Sequence, residues 1–278
     1  MTITNEKILK FRENLLDEEK SYATIQKYVR DVTEFSVWLG RQELTKSKVL
    51  EYKETLKEKY AIASVNSVIS SLNCFFEYCS MENLRIKTIR VQKHLFLKSE
   101  KELTKTEYER LLKAAKMRGN ERLNLVMQTI CSTGIRVSEL SSVTVDAIKN
   151  ETALIHNKGK VRYVFLPKKL CKALRKYANL RKIQSGPVFV TKRGIPLNRS
   201  NIWSDMKKLC KQANVAREKV FPHNLRHLFA RTFYSIQKDI VRLADILGHS
   251  NVNTTRIYTM ETGEIHRKKI QTLGLLRC

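Results

Sequence analysis

The sequence predicts a mainly α-helical protein with a small antiparallel β-sheet, built as two domains. Three observations lead there. Apolar residues recur at helical spacing through most of the chain. One stretch, TALIHNKGKVRYVFLP, alternates apolar and polar residues about a Lys-Gly pair, the pattern of a hairpin. Charge divides the chain: residues 1–100 hold 17 basic and 14 acidic residues, whereas residues 101–278 hold 36 basic and 13 acidic.

The elements follow in order. SYATIQKYVRDVTEFSVWLG places Tyr22, Ile25, Tyr28, Val29, Val32, Phe35 and Leu39 on one helical face and stops at Gly40. TKSKVLEYKETLKEKY predicts a second amphipathic helix opening on Thr45 or Ser47. A third, SVNSVISSLNCFFEYCSMEN, has an apolar stripe from Val65 to Phe76. Its other face is small and polar: Ser64, Asn66, Ser67, Ser70, Ser71 and Asn73. Such a face is either solvated surface or a close-approach surface for phosphates. In RIKTIRVQKHLFLKSEK the periodicity breaks and six basic residues gather (Arg85, Lys87, Arg90, Lys93, Lys98, Lys101), as expected of a basic linker over 85–101. Thr104 and Glu107 form a capping box that opens the second part. NLVMQTICSTG reads as an apolar helix ending at Gly134, with another starting near Ser138. Strands are expected over Thr152–His156 and Val161–Leu166, and a third short strand within GPVFVTKRGIPL; helices follow to the end.

Composition narrows the function. An excess of 53 Lys and Arg over 27 Asp and Glu attracts polyanions, of which nucleic acid is the commonest. No apolar run approaches the roughly 18–20 residues that span a bilayer, and the opening MTITNEKILKFREN lacks the apolar core of an export signal. The six cysteines form no Cys-x-x-Cys pair and stand at no zinc spacing with histidine, so reduced thiols in a cytosolic protein are expected, without a structural metal.

Three short patterns can carry chemistry. In STGIRVSEL, Arg136 follows a helix-ending glycine, where a guanidinium can fork onto two phosphate oxygens. In PHNLRH, His223 and Arg226 stand three apart on one helical face behind a proline suited to a helix start. In LGHSNVNTTRIY, Gly248 ends a helix, His249 follows and Tyr258 closes the stretch. A phenol with a pKa near ~10 is a poor nucleophile unless its anion is stabilised or a base takes its proton. Each pattern alone is equally an ordinary surface arginine, a cap histidine or a core tyrosine.

Together, TGIRVSEL, HNLRH and LGHSNVNTTRIY resemble the tyrosine recombinases, the phage-integrase-type site-specific recombinases, and the chain is similar in size to the Xer-type members. The resemblance implies a helical, SAM-like core DNA-binding domain (1–84), the basic linker (85–101) and an α+β catalytic domain of the DNA breaking-rejoining type with a short C-terminal tail (102–278). It implies that Arg136 and Arg226 clamp the scissile phosphate, that His223 and His249 hydrogen-bond to it and share proton handling, and that Tyr258 attacks phosphorus. A hairpin lysine would protonate the leaving 5′ oxygen. Lys158 stands before the glycine as the family's lysine does and is favoured over Lys160, in a turn about two residues shorter than in Xer-type sequences. Candidate DNA contacts are Arg85, Lys87, Arg90, Lys93, Ser67, Ser70, Ser71, Asn73, Lys160 and Arg162.

The same resemblance implies no cofactor, metal or ATP, because two arginines, a lysine and two imidazoles can stabilise the pentavalent phosphorane and the phosphotyrosine conserves the bond energy. The partner would be double-stranded DNA carrying inverted-repeat core sites. The working form would be a homo-tetramer on DNA, compatible with a paralogous recombinase or an accessory directionality protein, in the cytoplasm at the bacterial nucleoid. Ile265, Ile270, Leu273 and Leu276 would let the tail dock on a neighbouring subunit, and no arm-site-binding domain is expected. Two other readings use the same residues: a type IB topoisomerase, and a DNA-binding accessory protein without catalysis.

Overall fold

The computed structural model describes residues 3–90, 101–157, 160–191, 193–258 and 271–272, and it divides into two compact units, Met1–Lys93 and His94–Cys278. Among the described residues no helix is long and apolar enough to cross a membrane.

Among the described residues the first unit holds four α-helices: α1 (Asn5–Asp17), α2 (Tyr22–Leu39), α3 (Lys46–Lys59) and α4 (Ile62–Tyr78). Side-chain oxygens of Thr4, Ser21 and Thr45 cap the first three by accepting from the amide three residues on, satisfying donors that a helix start leaves open. The periodicity reading leaves α1 unassigned, although Ile8, Phe11 and Leu15 at helical spacing are its buried face. Phe11, Phe35, Phe75 and Phe76 fill the centre of the unit without solvent exposure.

The polar face of α4 serves packing. Asp31 of α2 is buried and accepts from Lys27, Arg30 and Ser71, and Lys27 also donates to the Ser67 carbonyl, so an ionic cluster ties α2 to α4. Asn73 and Asn66 each hold a downstream backbone by a paired amide contact, to Ile86 and Ile89 respectively.

The second unit begins with α5 (Lys105–Met117), and its Thr104–Glu107 capping box forms as read. The largely buried α6 (Glu121–Thr133) is its central helix, with α5, α8 and α10 packed against it. After a 3-10 turn (Val137–Ser142) and α7 (Val145–Lys149), strands β1 (Thr152–Asn157) and β2 (Lys160–Phe165) pair antiparallel, Ile155 opposite Arg162. Then come α8 (Lys168–Leu180), α9 (Arg199–Ala213), α10 (Pro222–Gln237) and α11 (Ile240–Leu247).

Two expectations are corrected. GPVFVTKRGIPL forms no third strand among the described residues; it makes only isolated bridges, Thr144 with Pro187 and Val190 with Pro196. Both bridges end on prolines, which have no N–H to extend a ladder. The helix expected near Ser138 is a single 3-10 segment beginning right after Arg136.

Candidate active site

Two helices of the second unit end in the same way, and the site lies where they meet. Gly134 terminates α6 with φ +66° and Gly248 terminates α11 with φ +66°, the left-handed conformation that glycine adopts without a Cβ clash. Helix C-termini leave carbonyls without intrahelical donors and carry partial negative charge. The Arg226 guanidinium fills both needs at once. Its Nη1 donates to the Gly134 carbonyl at 2.6 Å and its Nη2 to the Leu247 carbonyl at 2.7 Å. Pro222 at the first turn of α10 starts the helix that aims Arg226 there, and Asn224 fixes that turn to the carbonyls of Lys101 and Lys219. Only 1% of Arg226 is exposed. Burial, then Arg136, lowers its pKa to about 10, so it remains cationic at neutral pH.

His249 follows Gly248, and its ring is set by two bonds. Nε2 lies 2.9 Å from Arg226 Nη2, and Nδ1 lies 2.9 Å from Thr255 Oγ1. Arginine can only donate, so Nε2 accepts and the proton sits on Nδ1, donated to the buried Thr255 hydroxyl. Desolvation, then the charges of Arg226, Arg136 and Arg162, pushes the His249 pKa down to about 4. His223, one turn before Arg226, is lowered in the same direction by desolvation and then by Arg226, Arg199 and Arg136.

Tyr258 is buried, 5% exposed, among Ala230, Leu243 and Leu247. Its ring stacks 6.3 Å from His249 and meets the edge of His227 at 4.9 Å. Burial raises the phenol pKa; charge and hydrogen bonding from Arg226, then the charge of Arg136, oppose the rise. The nucleophile candidate is thus held protonated beside two cations.

Arg136 stands at the head of the 3-10 turn. Its backbone N–H donates to Glu139 Oε2 at 2.8 Å and its Nη1 to Oε1 at 2.9 Å. Arg162, from β2, takes the same carboxylate with both Nη groups, at 3.0 and 2.8 Å. Burial alone would raise the Glu139 carboxyl, but the bonds from Arg162 and Arg136 outweigh it and hold it below the usual range. Arg136, Ser138, Arg162, Gly248, His249 and Thr254 line a cleft of about 690 Å³.

The structure therefore brings together Arg136, His223, Arg226, His249 and Tyr258 within one unit. Sequence reasoning missed Glu139, Thr255 and His227. The first sits three residues after Arg136 at capping-box spacing, and His227 shares a helical face with His223, their rings 4.4 Å apart. Lys158 and Lys93 lie outside the described residues, as do Ile265, Ile270, Leu273 and Leu276 of the tail. Lys160 opens β2, opposite Asn157. Of the DNA-contact candidates, Arg85, Lys87, Arg90 and Ser70 are exposed and Ser67 is half-buried. Ser71 has no exposed surface, Asn73 is engaged with Ile86, and Arg162 is turned onto Glu139. Among the described residues no three His, Cys, Asp or Glu side chains gather as a metal site requires.

The sequence matches the phage integrase family over residues 101–264 and the phage integrase N-terminal SAM-like domain over residues 8–86. Tyrosine recombinase XerA of Thermococcus kodakarensis is 32% identical over 281 residues, covering 98% of this chain and 96% of that protein. Tyrosine recombinase XerC of Bacillus subtilis is 30% identical over 278 residues, covering 91% of each. The crystal structure of a lambda integrase tetramer bound to a Holliday junction shares the fold, with a TM-score of 0.73 at 18% identity over 92% of this chain and 77% of that one.

Proposed function

The chain belongs to the phage integrase family as a tyrosine-type site-specific DNA recombinase, and on that premise we propose how its residues divide the work. Arg136 and Arg226 grip the non-bridging oxygens of the scissile phosphate, with the neutral imidazoles of His223 and His249 beside them as proton acceptors. The Tyr258 hydroxyl attacks phosphorus and gives its proton to one of these imidazoles, forming a 3′-phosphotyrosine and breaking the P–O5′ bond. Lys158, with Lys160 as the alternative, delivers the proton that the departing 5′ oxygen takes up. Attack by another strand's 5′-hydroxyl reverses the step and completes recombination.

The observation that carries this reading is Arg226. One buried guanidinium spans the ends of two helices and touches His249, whose ring stacks on Tyr258. A cation so buried, held by two carbonyls and an imidazole, has its charge fixed in place beside the cleft, where it favours developing negative charge.

The resting pKa values fit the cycle. Phosphate in the cleft would offset the positive field of Arg136 and Arg226, restoring the histidines' capacity to hold a proton just when Tyr258 must lose one.

Residues 1–84 act as the core DNA-binding domain, 85–101 as the linker and 102–278 as the catalytic domain. Arg85, Lys87, Arg90, Lys93, Ser67, Ser70 and Lys160 contact duplex DNA, with Asn73 holding the backbone at Ile86 between Arg85 and Lys87. The protein works in the cytoplasm as a tetramer on inverted-repeat core sites.

The test is a duplex substrate nicked close to the cleavage site, so that the short product diffuses away. Wild-type protein accumulates a covalent adduct and Tyr258→Phe does not; an adduct that persists in Tyr258→Phe assigns the nucleophile elsewhere. On a substrate with sulfur at the 5′-bridging position, whose thiolate leaves unprotonated, the variant of the general-acid lysine recovers its rate and the other lysine variant does not.

A further inference from the structure

Arg162 is the one DNA-contact candidate of β2 whose described side chain is turned inward. Its side chain is only 15% exposed, and both Nη groups close a bidentate pair on Glu139. Its Nε is buried without a hydrogen-bond partner, so the guanidinium is committed to Glu139 and not laid out along the surface. The aliphatic stem runs along Gly248, where a Cβ would come within 2.7 Å of Arg162 Cδ. Glu139, the shared acceptor, also binds both the backbone N–H and Nη1 of Arg136. Arg162 thus joins three segments: β2, the 3-10 turn that opens after Arg136, and the end of α11 that presents His249.

We infer that Arg162 is a positioning residue: through Glu139 it sets the orientation of Arg136, and by packing on Gly248 it fixes where His249 begins. The inference rests on the reading that Arg136 grips the scissile phosphate. A bidentate arginine pair is directional, so it holds the carboxylate in one rotamer and leaves Oε1 and Oε2 aimed at Arg136. Without it, the buried carboxylate would have a single cation and freedom to rotate, and Arg136 would lose its fixed approach to phosphorus. Small displacements of a phosphate-aligning group cost rate rather than affinity.

The test uses full-length protein and the nicked duplex, with Arg162→Gln, Arg162→Lys, Glu139→Gln and the Arg162→Gln/Glu139→Gln double variant. Each is read for site affinity, the salt slope of that affinity, melting temperature, and the first-order rate of adduct formation at saturating DNA. Positioning predicts that Arg162→Gln slows the saturated rate about tenfold or more while affinity and salt slope stay at wild-type values. Arg162→Lys, which keeps the charge but loses the fork, recovers part of that loss. The double variant is no slower than the worse single variant, because both act through one contact. A wild-type saturated rate with weaker binding and a salt slope smaller by about one phosphate overturns the inference and makes Arg162 a DNA contact. Rate losses that multiply in the double variant also overturn it. Should Arg162→Gln fail to fold, Arg162→Lys decides: a slowed saturated rate with intact affinity supports positioning, and a wild-type rate refutes it. Absence of any wild-type adduct would overturn the functional reading itself and this inference with it, a result distinct from a defect confined to the Arg162 variants.

Discussion

Arg226 Nη2 sits 2.9 Å from His249 Nε2, and because the arginine can only donate, His249 is neutral with its proton on Nδ1. The pair sets a proton budget for DNA binding. In the free protein the His249 pKa lies at about 4. An anion placed between Arg136, Arg226 and the imidazole favours the protonated ring, so the pKa rises on binding. A group whose pKa is higher in the complex takes up a proton as the complex forms. Site affinity should therefore strengthen as pH falls through the bound-state pKa, and calorimetry in buffers of different ionisation enthalpy should show net proton uptake. His249→Gln should abolish most of that uptake, leaving the smaller share from His223.

The two arginines should separate under mutation, although the sequence presents them as equals. Arg136 is about one-third exposed and its main partner is Glu139. Arg136→Ala should leave folding and site binding largely intact while lowering cleavage by about a thousandfold or more. Arg226 is buried and satisfies two helix-terminal carbonyls. Arg226→Ala should abolish cleavage and also destabilise the second unit by about 3 kcal/mol, since buried acceptors lose their donors. Thermal or urea unfolding of the two variants against wild type checks the split.

This asymmetry marks where the sequence stopped being legible. Residue types were readable: the resemblance named Arg136, His223, Arg226, His249 and Tyr258, and the fold gathers those five side chains in one unit. Partners supplied by backbone were not. The carbonyls of Gly134 and Leu247 belong to no residue type, and only the fold brings them to one guanidinium. Polar side chains misled in the opposite direction. Ser71 and Asn73 advertise a hydrophilic face, yet one is sealed onto Asp31 and the other holds the Ile86 backbone. The hairpin was legible because its alternation is local, whereas residues 186–197 have strand-like composition but prolines at the positions that would need donors.

Gly134 is constrained twice over. Its φ of +66° disfavours any side chain, and a Cβ there would fall 2.4 Å from the Phe229 ring, with Leu247 at 3.0 Å. Gly134→Ala should lower stability by about 2–4 kcal/mol, combining left-handed strain with overpacking. Its carbonyl would move away from Arg226, so cleavage should fall as well. Pairing the change with Phe229→Leu, which vacates the ring volume, should restore part of the stability and leave the backbone share. Urea titrations of the single and double variants measure both shares.

Acid should loosen the second unit before general acid denaturation sets in. His227 packs between His223 and Tyr258, and its pKa is pushed down to about 4 by burial first and by His223, Arg231 and Arg226 after that. His249 is lowered to the same level. Both are neutral in the folded state over a range where the unfolded chain, with histidines near 6.5, already binds protons. The unfolded state binds more protons there, so stability rises with pH across that window. Their contribution is fully present above about pH 6.5 and drains away as pH falls toward about 4. His227→Gln removes one of these titrating groups, which also include His223, without adding charge. Its melting temperature should fall less steeply than that of wild type between pH 6.5 and 4. Equal slopes for the two proteins over that window would mean that His227 is protonated in the folded state and that the ring contact with Tyr258 is made by a cation.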